Sequence, residues 1–114
     1  MPELEHNGYF PLTEEHLDMY VPSRPGVYML AVKLVNGVHQ TFFTSQSDNL
    51  YRSLRRILAD ENEHLSDDAR SLMGRFKPYF TFFVIPLPDQ RRDVEKMLSN
   101  TMDPVLKLRI LEEN

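Results

Sequence analysis

The sequence has no cysteine and no tryptophan. Without thiols it can form no disulfide and no thiolate zinc site, and it offers no cysteine nucleophile. No stretch approaches the ~20 consecutive apolar residues that a spanning helix needs. No basic segment followed by an apolar run opens the chain, so no secretory leader is expected. Together these absences predict a soluble, cytoplasmic protein with no membrane partner. A basic excess is missing too: 13 Lys and Arg stand against 17 Asp and Glu, a formal net charge of −4. A nucleic-acid-binding chain usually carries a basic surface, so any such surface here has to be local.

What is present reads as globular. Hydrophobic residues make up 41% of 114 positions and aromatics 11%, enough for one domain with a modest core. Charge is unevenly spread. Acids gather in 3–18 and 60–68, bases in 52–56, 70–77 and 91–92. Arg52, Arg55 and Arg56 are the candidate nucleic-acid contacts, although such runs are most often solvated helix surface.

The chain is organised around residues 26–58. Strands are expected over 26–34 and 38–44, from apolar, β-branched and aromatic runs. Between them Asn36-Gly37 suits a tight hairpin, because both residues tolerate positive φ. Both faces of the first strand are apolar, which predicts cover on both sides. Ser47, Asp48 and Asn49 offer N-caps for a helix running from Asn49 to about Ala59. Its Leu50, Leu54, Ile57 and Leu58 form one apolar stripe.

Either side of this unit the pattern is plainer. Residues 1–25 read as an N-terminal extension packing on the core, with a short helix over 14–20 capped by Thr13. Pro22 and Pro25 end it. Residues 60–68 form an acidic linker; Glu61, Glu63, His64, Asp67 and Asp68 have no ligand spacing and read as solvated loop. A helix capped by Ser66 is expected over 67–76, a third strand over 80–87 and a last helix over 90–101 capped by Asp89. The apolar Val105, Leu106, Leu108 and Ile110 are expected to pack back on the domain.

Gly26-Val27-Tyr28, the loop-to-helix stretch QSDNLYRSL, and Glu95 nine positions before Pro104 occur in this order over about 80 of the 114 residues. In that combination the chain resembles a GIY-YIG endonuclease domain. The resemblance implies an α+β fold, a small three-stranded antiparallel sheet flanked by helices, spanning 26–114. It implies Tyr28 as general base or water positioner and Glu95 as ligand of one divalent cation, Mg²⁺. It also marks departures. Phe43-Thr44-Ser45 stands where the family has its second tyrosine motif. Ser53 falls where the family has its catalytic arginine, and Ile57 where a His, Tyr or Lys usually follows.

Cleaving a phosphodiester needs charge stabilisation in the transition state, and losing one such group can cost ~10²–10³ in rate. The expectation is therefore a catalytically degenerate GIY-YIG-like domain, leaning away from an enzyme, that binds nucleic acid or a protein. No cofactor is required for that role. The alternative is a divergent Mg²⁺-dependent endonuclease using Tyr28 and Glu95 with a relocated arginine, Arg56 (or Arg52). A structural module with a protein interface in the former cleft, and an unrelated α+β domain, complete the possibilities.

Overall fold

The computed structural model describes residues 8–61, 65 and 67–99. In chain order it contains β1 (Phe10–Pro11), α1 (Glu14–Tyr20), β2 (Gly26–Lys33), β3 (His39–Ser47), α2 (Leu50–Leu58), α3 (Asp67–Arg75), β4 (Pro78–Val84) and α4 (Pro88–Ser99). The sheet is antiparallel, with strand order β1-β4-β2-β3. The fold class is α+β. The expected three strands are β2, β3 and β4, and β1 adds a short fourth beside β4. It pairs Phe10 with Phe80 and Pro11 with Tyr79.

Local chemistry explains most boundaries. Thr13 caps α1, its hydroxyl accepting from His16 N. At the hairpin Leu34 N donates to Val38 O at 2.8 Å, and Gly37 N donates to Leu34 O at 2.9 Å. Gly37 has φ +86, where a side chain would be strained. α4 begins earlier than expected. Pro88 occupies its first helical position, where a missing N–H costs nothing. Asp89 is accordingly a first-turn residue instead of the cap, and its carboxylate holds Arg92 at 2.6 Å. Ser66 and Thr101 lie outside the described residues, as do Pro104 and the apolar run after it.

β2 divides the molecule into two faces. On the front, Tyr28, Leu30 and Val32 join Phe42, Phe80, Phe82, Leu17, Leu50, Leu54, Ile57, Ala69 and Leu72 in one buried cluster. On the back, Val27 and Met29 pack with Phe83, Ile85 and Val94. Full burial of each large apolar side chain contributes about 1.5–3 kcal/mol before entropy is counted, so the front cluster dominates the stability of the fold.

One irregularity sets what β3 presents. Leu30 lies opposite Phe43, but Ala31 lies opposite Thr41, so Phe42 is an extra residue on the outer strand. This β-bulge re-phases the alternation. Phe42 is buried in the front cluster, and Phe43 packs against it, half-buried. Gly26 is fixed by close approach: a Cβ there would stand 2.0 Å from the Phe83 carbonyl oxygen and 2.8 Å from Leu50 Cδ1.

Candidate functional site

The candidate residues converge on the end of β3 and the start of α2. Asn49, in extended conformation, caps α2 by accepting from Arg52 N at 3.0 Å. Leu50 N donates to Arg24 O, Tyr51 N to Pro22 O and Ser53 N to Asn49 O. The first-turn amides are thus engaged by the chain itself and form no open cradle for a phosphate. The Ser53 hydroxyl lies 2.5 Å from the Ser47 hydroxyl, whose oxygen also accepts from Asn49 N at 3.0 Å. Where the resemblance calls for an arginine, two serines knot strand to helix. Ile57, at the next position in question, is a core residue only 3% exposed.

Tyr28 lies on the front face and is 2% exposed. Its ring is 6.1 Å from that of Phe43, and Ser45 and Phe82 flank it across the strands. Its environment is packing, not an open cleft. Glu95 belongs to α4, the helix whose Val94 seals the back face. Glu95 Oε2 accepts from Gln46 N at 2.6 Å, occupying an outward amide of the edge strand. Tyr28 is thus buried within the front cluster, while the Glu95 carboxylate is held at the outer rim of β3. Among the described residues no group of three His, Cys, Asp or Glu is placed to hold a metal ion. A hydrated Mg²⁺ on Glu95 alone would have to share the carboxylate with the Gln46 amide.

The three arginines of α2 are not equivalent. Arg55 is half-buried and pairs with Glu14 at 3.1 Å, its guanidinium 6.0 Å from the Tyr51 ring centre. The Tyr51 hydroxyl donates to Asp18, and this bond, the largest cause, raises the phenol above its ordinary pKa. Arg52 and Arg56 are exposed, one helical turn apart, with no acidic partner among the described residues.

Sequence reasoning missed Arg91. It is 8% exposed, donates through Nη1 to the Ile85 and Pro86 carbonyls at 3.3 and 3.0 Å, and brings Nη2 to 3.9 Å from Asp48. It locks the β4–α4 corner and leans on the loop before α2. Its spacing from Val94 and Leu98, at i, i+3 and i+7, is the signal that places it on the buried side of α4.

Comparison with models of known families, with curated proteins and with solved structures returned no match.

Proposed function

We propose that the chain is a non-catalytic binding module on a GIY-YIG-like scaffold, contacting nucleic acid through Arg52 and Arg56. The observation that carries this reading is the Ser47–Ser53 hydroxyl pair at 2.5 Å. It puts a short, satisfied polar contact where phosphate chemistry would need a cation. The burial of Tyr28 and the engagement of Glu95 by Gln46 N support the same conclusion. Arg52 and Arg56 are the α2 cations left to the solvent, and cations on one exposed helix face suit backbone phosphates.

A protein partner is the second form of the reading. It is favoured by Glu14 and Asp18, which line the neighbouring helix and make this surface mixed in sign.

The test combines binding and cleavage. Fluorescence anisotropy on labelled duplex and single-stranded DNA is followed against salt. Wild type is expected to bind with a salt-dependent affinity, and Arg52→Gln/Arg56→Gln is expected to flatten the log–log slope by about 2. Absence of binding at low salt overturns the nucleic-acid form and leaves the protein form. In parallel, plasmid, linear and branched DNA are incubated with Mg²⁺ or Mn²⁺. Wild type is expected to be inert. Cutting that disappears in Glu95→Gln would establish an endonuclease with a relocated arginine. Metal-dependent cutting gained by Ser53→Arg would identify a nuclease cleft lacking one residue.

A further inference from the structure

Among the described residues the buried polar side-chain atoms without a hydrogen-bond partner are His39 Nε2 and Thr81 Oγ1, and both lie on the back face of the sheet. His39 is the more informative. Its ring stacks on Tyr9 at 4.7 Å with an interplanar angle of 16°, and meets Tyr79 edge-on at 4.8 Å. Tyr9 immediately precedes β1, and its hydroxyl reaches Thr41 at 3.1 Å. β1 itself is only two residues long, with Leu12 N donating to Pro78 O at 3.0 Å just beyond it. A short strand of this kind depends on the contacts at its ends. At its N-terminal end the aromatic stack and the Tyr9–Thr41 hydrogen bond hold it.

We propose that residues 8–12 form an acid-released strap, in which protonation of His39 breaks the Tyr9–His39–Tyr79 stack and frees β1 from β4. The second nitrogen would become a charged donor in a place that supplies no acceptor. An imidazolium gains some attraction from the Tyr9 face, but this does not replace a hydrogen bond at the enclosed Nε2. Lys33, directly opposite on β2, adds like-charge repulsion. Tyr79 on β4 and Tyr9 on the strap are the other titratable groups against the ring. Among the described residues no carboxylate is paired with His39. Burial, the larger cause, and Lys33 both lower the His39 pKa from 6.5. The opposite end of the strap carries its own histidine: His16 of α1 faces Phe10 and Tyr20, with Nδ1 2.7 Å from the Thr13 hydroxyl.

The experiment is amide exchange on the full chain, read by NMR as protection factors at Leu12 and Leu54 between pH 7.5 and 5. Leu12 protection is expected to fall by up to about tenfold per pH unit as pH drops from about 6.5 to the lowered His39 pKa, and then to level off. Leu54, in the core of α2, is expected to hold. His39→Phe keeps an aromatic stack without a titrating nitrogen and should abolish the pH dependence at Leu12. Lys33→Gln should raise the lower end of this window and so shrink the total loss of protection, and His16→Phe should leave the transition in place. The proposal is overturned by pH-independent Leu12 protection, by a transition that survives His39→Phe, or by one that follows His16. Should His39→Phe fold poorly, the ring titration of His39 in wild type decides: a pKa at or above 6.5 overturns the proposal.

Discussion

The two faces of the sheet are built by different rules. The front is a continuous apolar cluster under α1, α2 and α3, and it contains Tyr28. The back joins a small apolar patch under α4 to an aromatic, hydroxyl-rich end at Tyr9, His39, Thr41 and Tyr79. The front is held mainly by apolar packing, with the Ser47–Ser53 hydroxyl pair at its rim. Among the described residues the back holds both unpartnered polar atoms, and it depends on individual contacts such as Glu95 to Gln46 N. Stability resides mainly on one side, and sensitivity to conditions mainly on the other.

That division can be broken most severely where the sheet meets α2. Gly26→Ala would drive a methyl group into the Phe83 carbonyl, and a loss above about 3 kcal/mol, or no folded protein, is expected in denaturant titration. Phe80→Ala, on the front, should cost about 3–5 kcal/mol in the same measurement. Val94→Ala, on the back, removes the equivalent of two methylenes and should cost only about 1.6 kcal/mol. Equal losses at these two positions would refute the contrast. Thr81→Val sharpens it with the opposite sign. Removing a buried hydroxyl that has no partner should stabilise by about 1 kcal/mol.

The smallest effect is one of pH. A histidine whose folded pKa is depressed binds fewer protons folded than unfolded. Stability is therefore unaffected well above pH 6.5. It falls as pH drops from about 6.5 to the folded His39 pKa and then levels off. Thermal unfolding of wild type against His39→Phe should show this slope in wild type alone.

Much of the front face was legible in the sequence. The α2 stripe and the Asn36-Gly37 turn carry local signals and both elements form, with Leu50, Leu54 and Ile57 buried as expected, whereas Leu58, expected on the same stripe, is 38% exposed. β1 was not legible, because two residues have no periodicity and their pairing with Phe80 is long-range. The bulge at Phe42 was hidden because HQTFFTSQS shows no clean alternation to interrupt. The candidate site was legible only as a set of residues. Sequence spacing placed Ser53 beside the buried face, where it meets Ser47. It could not show that Tyr28 is buried in the front cluster while Glu95 sits on the rim of β3, since that depends on which face α4 covers.

The bulge has a consequence for how crowded copies of this chain behave. His39–Ser47 is nine residues long, uncharged and free of proline, and it runs along an outer edge of the sheet. Such a segment would ordinarily invite cross-β stacking and fibril growth. The extra residue at Phe42 interrupts its hydrogen-bonding rhythm, and Glu95 withholds the Gln46 amide. The protein thus keeps an aggregation-prone tract at its margin while denying a neighbouring chain a straight template to copy.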